Sequence, residues 1–235
     1  METTLDLEIT RQPDDTTCGP TCLQAVYRYY GVEADLQQLI REVPTLEGGG
    51  TLAVMLGIHA LKRGFRATLI SYDLQVFDPI WEKLDRGSLM EKLEAQAAVK
   101  PQPKLQHATA AYLEFLHLGG TIRFDEFSGK LLRTYLDRGR PILTGLSATY
   151  LYRAVRERPA DMVDDDLRGE PVGHFVILSG YDRRTRSVLV TDPEHPNLLS
   201  AQHTYPVSID RLMGAILLGT LTYDANLLSL EPAEG

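Results

Sequence analysis

Apolar positions recur at helical spacing in the first half of the chain and at strand spacing in the last third. The run from Cys22 to Tyr29 follows the i, i+3, i+4, i+7 spacing of one buried helical face, and Gly31 is positioned to end that helix. Further helices are predicted at residues 35–43, 51–64, 78–100, 105–117, 128–138 and 208–214. Strands are predicted at residues 5–10, 66–72, 141–147, 174–181, 187–192 and near 216–223. Helices that precede strands indicate an α+β domain with segregated lobes.

Residues 149–172 fit neither pattern. They are polar and charged and separate two predicted core strands, whereas connections inside a domain are ordinarily about 4–6 residues long. We therefore expect a lid-like insertion that lies over the surface beside the strands it connects. A second stretch, at about 75–125, is predicted as a helical insertion, and the whole chain, 1–235, as a single domain.

The composition disfavours several classes of protein. A net charge of −8 argues against nucleic acid or an anionic membrane surface as a partner. No run approaches the roughly 20 apolar residues of a membrane span, and the acidic start, Met1 to Asp6, lacks the apolar region of a secretory signal. Two cysteines four residues apart argue against a disulfide framework, so we expect reduced thiols and a cytoplasmic location.

No motif for a metal or a cofactor is present, and none is expected. His195 and His203 do not make a zinc spacing, nor do the two cysteines. The Gly48-Gly49-Gly50 loop lacks the lysine and the serine or threonine of a phosphate loop.

The first candidate for chemistry is Cys18, one turn before Cys22 on the same helical stripe. Its thiol is predicted at the N-terminal tip of a helix whose body packs in the core. A helix N-terminus and a neighbouring imidazolium both favour the nucleophilic thiolate. Gly19 leaves room beside the sulfur, and Pro20 suits the first helical position. The alternative is a small buried residue before a helix, which describes Cys22 well.

A histidine and a carboxylate lie on neighbouring predicted strands. His174 begins the strand 174–181, and Asp192 ends the strand 187–192 after a loop of hairpin length. Folding the chain about Arg184 places Asp192 opposite Val176, one residue pair from His174. Since 174 and 176 share parity, the two side chains are predicted on one face, where the carboxylate orients the imidazole.

Gln12 completes the set of candidate residues, six positions before Cys18. A short loop would bring its amide beside the sulfur, where it and the backbone N–H of Cys18 bind the oxyanion of a tetrahedral intermediate. Gly173, Thr149 and Tyr150 are expected to line the substrate side of the cleft, because they flank the strand ends that lead to His174.

With these residues in place, the chain resembles the papain-like cysteine peptidases, and among them the double-glycine leader peptidase family and its stand-alone bacterial relatives. The resemblance lies in Asp15 to Cys22, in Gly173 to Ile177 and in Thr191-Asp192-Pro193, and covers roughly residues 10–72 and 128–195. No transporter segment is present, in contrast to the membrane-bound members, so a stand-alone peptidase is expected.

The resemblance implies a papain-like fold and a role for each candidate. An N-terminal helical lobe, whose central helix carries the nucleophile, would pack on a C-terminal antiparallel sheet. Cys18 would be the nucleophile, His174 the base, Asp192 its orienting acid and Gln12 the oxyanion residue. These parts predict a hydrolase that cleaves a peptide or other amide bond through a thioester. An acyltransferase or transpeptidase would use the same triad, and a non-catalytic peptide-binding module is the alternative of a different class.

Overall fold

The structure, a computed structural model, describes residues 2–46, 49–222 and 224–233, with Glu2 described by its backbone only. Its helices are α1 (Cys18–Tyr29), α2 (Leu36–Glu42), α3 (Ala53–Lys62), α4 (Arg86–Val99), α5 (Pro103–His117), α6 (Gly129–Leu136), α7 (Ala148–Tyr152) and α8 (Ile209–Leu217). Short 3₁₀ turns occupy Pro79–Lys83 and Leu218–Thr222. Its strands are β1 (Glu2–Thr4), β2 (Phe65–Ser71), β3 (Thr121–Arg123), β4 (Ile142–Ser147), β5 (Gly173–Asp182), β6 (Ser187–Thr191), β7 (Thr204–Ser208) and β8 (Asn226–Pro232).

These strands form one eight-stranded sheet in the order β3-β2-β8-β4-β5-β6-β7, with β1 paired to β5. Every pairing is antiparallel except that of β2 with β3. The long strand β5 organises the sheet, because its first half pairs with β4 and its last residues with β1, while β6 runs along its other edge.

Helices cover both faces of the sheet. Alternate residues of a strand point to opposite faces, so Leu143 and Phe175 pack with α1, α3, α4 and α5 in one core. Ile142 and Val176, their neighbours in sequence, pack with α6, α7 and α8 in a second core. The α+β class is confirmed, as is the packing of the predicted central helix α1 on the sheet.

Two strand predictions are wrong. Residues 209–217 form α8, with Leu212, Ala215 and Ile216 buried on one face, and residues 218–222 form its 3₁₀ extension, so the predicted strand near 216–223 is helical as far as Thr222. Tyr223 lies outside the described residues. The last strand is instead β8, in the middle of the sheet between β2 and β4. The predicted strand at residues 5–10 is also wrong, because the N-terminal strand is β1. Leu5 extends the pairing of β1 by donating its N–H to the Ser179 carbonyl oxygen at 2.7 Å.

The two segments predicted as insertions both have ordered structure. Within 75–125, α4 and α5 pack on each other, and Tyr112 and Phe115 of α5 lie in the first core. Within 149–172, Glu157 and Glu170 exchange both backbone hydrogen bonds, which closes the segment on itself. Gly48 of the predicted glycine loop lies outside the described residues. No helix in the described ranges is long and apolar enough to cross a membrane.

Candidate active site

Cys18 is the first residue of α1, as its position before the apolar stripe predicts. The first N–H groups of a helix have no intrahelical acceptor, so the thiol lies among free backbone donors. Pro20 is the third residue of the helix rather than the first. Its missing N–H still costs no hydrogen bond, because the N–H groups of the first turn have no acceptor within the helix. Gly19 is required by close approach, because a Cβ there would lie 2.6 Å from the Thr51 methyl group and 3.5 Å from the Phe175 ring.

Cys22 is a packing residue, in agreement with its predicted place in the middle of the helix. Its side chain is fully buried, and its sulfur donates to the Phe175 carbonyl oxygen at 3.4 Å. Burial raises the pKa of the Cys22 thiol well above its ordinary value, with a further contribution from Cys18, so the thiol stays protonated. This contact ties α1 to the residue that follows His174 in β5.

His174 and Asp192 meet, as the strand parity predicts. The imidazole Nε2 lies 2.8 Å from Asp192 Oδ1, and both side chains are buried. Since this contact occupies Nε2, the ring nitrogen left for Cys18 is Nδ1. Cys18 lies close enough to His174 to contribute to the raised pKa of the imidazole. The structure therefore brings thiol, imidazole and carboxylate together in that order.

A bulge at Ser179 is responsible for this register. Beside the turn, Asp182 pairs with Ser187 and Gly180 with Leu189, but past the bulge Leu178 pairs with Val190. Without the bulge, the residue opposite Asp192 would be Ile177, whose side chain points to the other face. The one-residue shift returns Asp192 to the position opposite Val176 and so to the face of His174.

Asp192 accepts five hydrogen bonds. Oδ1 accepts from His174 and from the Glu194 backbone N–H at 2.9 Å. Oδ2 accepts from the Tyr152 hydroxyl at 2.7 Å, the Tyr205 hydroxyl at 2.5 Å and Asn197 Nδ2 at 3.3 Å. A carboxylate with this many donors is held in one orientation, and its charge is stabilised without contact with water.

These contacts decide the charges of the pair. Burial by itself raises the pKa of Asp192, but the hydrogen bonds from His174, Tyr205 and Tyr152 outweigh it and leave that pKa below its ordinary value. Burial by itself lowers the pKa of His174, but the hydrogen bonds to Asp192 and Cys18 raise it well above its ordinary value. The site therefore favours a carboxylate beside an imidazolium.

Gln12 is fixed beside the turn that follows Asp192. Its backbone N–H donates to the Pro193 carbonyl oxygen at 3.0 Å, which ties the loop before α1 to the chain after β6. Its side-chain oxygen Oε1 is buried without a hydrogen-bond partner. The role of Gln12 in oxyanion binding stays a prediction.

The predicted substrate-binding residues lie at one end of the sheet. Gly173 is exposed, begins β5 and pairs with Ser147, the last residue of β4. Thr149 and Tyr150 lie in α7 and line a cavity on the α7–α8 side of that end. No measured contact joins either residue to Cys18, so their part in substrate binding also stays a prediction.

Sequence reasoning missed the residues that hold Asp192. Tyr152 follows Tyr150 in the same helix, but it is buried and donates to Asp192. Tyr205 and Asn197 lie in β7 and in the loop before it, and no spacing in the sequence connects them to a catalytic acid. The sequence does contain a signal that Tyr205 is buried. Apolar and polar residues alternate along β7, where Tyr205 and Val207 are buried and the residues beside them are exposed.

Within the described ranges, no three histidine, cysteine or acidic side chains are grouped so that they could hold a metal ion.

Comparison with known proteins identifies a family and similar folds. Residues 4–212 match the model of the Peptidase_C39 like family. No curated protein matches the sequence. A solved C39-like peptidase from Bacillus anthracis is 15% identical, with 100% of both chains covered and a TM-score of 0.50. At that identity, the likeness shows a shared fold alone.

Two other solved structures are similar with lower scores. One is xylellain, a cysteine protease from Xylella fastidiosa, which is 13% identical with 99% of this chain and 86% of that chain covered, at a TM-score of 0.47. The other is the peptidase domain of ComA, a bifunctional ABC transporter of Streptococcus in a quorum-sensing pathway. It is 15% identical with 96% and 98% covered, at a TM-score of 0.44.

Proposed function

This chain belongs to the Peptidase_C39 like family, and we propose that it is a cysteine peptidase whose nucleophile is Cys18. One observation carries the proposal: the imidazole of His174 is hydrogen-bonded to Asp192 through Nε2 and lies close enough to the Cys18 thiol for that thiol to raise its pKa. A thiol, a base and an orienting acid in that order are the parts of nucleophilic acyl transfer.

The proposed reaction has two halves. The Cys18 sulfur attacks the carbonyl carbon of an amide bond, and its proton resides on His174. The negative charge moves to the carbonyl oxygen, where the backbone N–H of Cys18 and the Gln12 amide are its proposed donors. Collapse of this intermediate breaks the C–N bond as His174 gives its proton to the leaving amine. A water molecule then loses a proton to His174, attacks the thioester and releases a carboxylic acid and the thiol.

Residues 149–172 are proposed to border the cleft. Burial raises the pKa of Glu157 above its ordinary value, and the negative charges of Asp164, Asp15 and Glu194 raise it further. Asp15 lies three residues before Cys18 and Glu194 two residues after Asp192. The hairpin-like part of the segment is therefore close to both chain segments that carry the catalytic residues.

The test is the detection of the acyl-enzyme. The protein is mixed with a library of short synthetic peptides and quenched, and its intact mass is measured. We expect a mass increase on Cys18 and cleaved peptides in the supernatant. Cys18→Ala should form neither, whereas Cys22→Ala, the matched control, should form both, because Cys22 is a buried thiol outside the site.

Three results would change the proposal. Cleavage by Cys18→Ala would refute Cys18 as nucleophile. An acyl-enzyme that is consumed only when an amine is added would indicate an acyltransferase. Peptide binding without acylation in the wild type would indicate a binding module.

A further inference from the structure

A cavity of about 730 Å³ lies between α7 and α8, at the end of the sheet where β5 begins. None of the proposed catalytic residues lines it. Pro171, Leu218 and Leu221 supply apolar walls, and the arginines Arg153 and Arg211 line it together. This volume suits an organic ligand, because pockets of about 300–1,000 Å³ hold drug-sized molecules.

The two arginines have no acidic partner. Among the described residues, no carboxylate lies within ion-pairing distance of Arg153 or Arg211. Asp210 also lines the cavity, but Arg186 binds its carboxylate at 3.1 Å. In a chain with 24 basic and 32 acidic residues, two neighbouring unpaired guanidinium groups are an unusual concentration of positive charge.

The positive charge of Arg211 lies in an unfavourable environment unless an anion binds to it. Its Nε is buried without a hydrogen-bond partner, although guanidinium N–H groups are strong donors. It lies in the first turn of α8, where the helix dipole disfavours a cation. Burial lowers the pKa of Arg211, and repulsion from Arg153 lowers it further. An anion between the two arginines would relieve each of these effects.

Arg153 has a strained backbone. It ends α7 in the left-handed region, at φ 56° and ψ 40°, which costs free energy for a residue other than glycine. Strain of this kind clusters at ligand-binding and active sites.

The cavity is connected to the proposed active site in two ways. Ser147 lines the cavity and pairs in the sheet with Gly173, the residue before His174. Arg211 lies near Tyr205, whose hydroxyl donates to Asp192. A ligand held in the cavity is therefore close to the residues that orient the imidazole.

We propose that the cavity is a substrate subsite in which Arg211 and Arg153 bind a carboxylate of the peptide. The inference rests on the proposed peptidase function, since the anionic groups of an unmodified peptide are carboxylates. Guanidinium groups suit a carboxylate because their paired N–H groups match its two oxygens. The carboxylate belongs either to an acidic side chain or to the C-terminus of the peptide.

The test compares matched peptides on the full chain. For each peptide that the wild type cleaves, glutamate is compared with glutamine at successive positions, and a free C-terminus with its amide. The two comparisons separate the two sources of the carboxylate. We expect one carboxylate to raise kcat/KM by about tenfold or more, as a charged hydrogen bond would.

Variants then connect the preference to the cavity. Arg211→Gln and Arg153→Gln should raise KM for the acidic peptide only, and Arg211→Lys should keep part of the preference. Arg138→Gln is the control, since Arg138 is exposed at the end of α6 and the substitution removes the same charge. The inference would be overturned if the ratio of kcat/KM for the acidic peptide to kcat/KM for the neutral peptide were equal in Arg211→Gln, Arg153→Gln and the wild type.

Binding to Cys18→Ala separates the two proposals. Suppose that no peptide is cleaved, but that Cys18→Ala binds the glutamate peptide at least tenfold more tightly than the glutamine peptide. If adding Arg211→Gln removes this difference in affinity, the subsite is supported and the peptidase function is refuted. Cleavage without any preference for a carboxylate would refute the subsite alone. Absence of both cleavage and binding would refute both.

Discussion

Tyr152 and Tyr205, far apart in the sequence, donate to the same oxygen of Asp192. Neither is proposed to touch substrate, so in the proposed reaction both would act by positioning Asp192, which positions His174. A buried carboxylate with one fewer donor is less favourable by the net free energy of a hydrogen bond to a charged group, about 1.5–3 kcal/mol. At the scale of single residues, the proposed function therefore depends on side chains that lie behind the proposed triad.

We predict that Asp192→Asn lowers kcat on the order of 10²- to 10⁴-fold and moves the alkaline limb of kcat/KM to lower pH. The carboxylate raises the pKa of His174 against the effect of burial, so without it burial dominates and the imidazolium is lost earlier as pH rises. A pH profile of both enzymes measures this. Tyr205→Phe keeps the carboxylate and should show a smaller shift. An unmoved alkaline limb in Asp192→Asn would contradict the assigned pair.

We predict that Gln12→Ala lowers kcat by roughly 10²- to 10³-fold, the usual effect of losing one oxyanion donor. Because the donor acts on charge that exists only in the transition state, KM and the alkaline limb should change little. Steady-state kinetics over a range of pH provide the measurement. A raised KM with unchanged kcat would assign Gln12 to substrate binding instead.

At the scale of elements, the segment after α7 is held mainly by its own contacts. Arg168 binds Asp165 at 2.6 Å, and Asp165 accepts the backbone N–H groups of Leu167 and Arg168. The middle residue of the acidic run Asp164-Asp165-Asp166 is therefore committed to the turn in which it occurs. Leu167 and Met162 are exposed, so the segment contributes little to either core.

We predict that replacing residues 154–169 with a short Gly/Ser linker changes KM across a peptide panel while the free energy of unfolding changes little. The replacement removes contacts within the segment and keeps Arg153 and the strand ends. Kinetics and denaturant unfolding are measured on the same preparations. Equal kinetic constants for every peptide would show that the segment does not border the cleft.

At the scale of the whole molecule, Asp224 joins parts that are far apart in the sequence. Its carboxylate accepts the Ala53 N–H at the start of α3 at 3.2 Å and Asn226 Nδ2 at 2.9 Å. It is buried against Gly145 of β4, where a Cβ would lie 2.5 Å from its oxygen. Burial raises the pKa of Asp224 to about 7, and the charge of Asp73 adds to the effect.

We predict that this carboxyl group makes the fold less stable as pH rises. Its folded pKa lies above its unfolded value, so its contribution is fully present below about pH 4 and is lost as pH rises through about 7. Relative to wild type, Asp224→Asn should gain stability from pH 5 to pH 8, by at most about 3 kcal/mol. Denaturant unfolding at both pH values measures this, and a constant difference would contradict the raised pKa.

The sequence by itself determined what local spacing controls. The apolar stripe from Cys22 to Tyr29 specified α1 and placed Cys18 at its N-terminus, because helical periodicity is a property of neighbouring residues. A hairpin likewise determines which residues of its two strands meet. That His174 meets Asp192 was therefore predictable, although the bulge at Ser179 that secures the register was not.

Only the tertiary structure decided the rest. It placed β8 in the middle of the sheet, brought Tyr152 and Tyr205 to one carboxylate oxygen, and set Arg153 beside Arg211 in a cavity. Each of these depends on segments tens of residues apart. The physical reason is that such contacts form when the elements pack together and bury the two cores. They depend on all the elements at once, so no spacing of residues along the sequence predicts them.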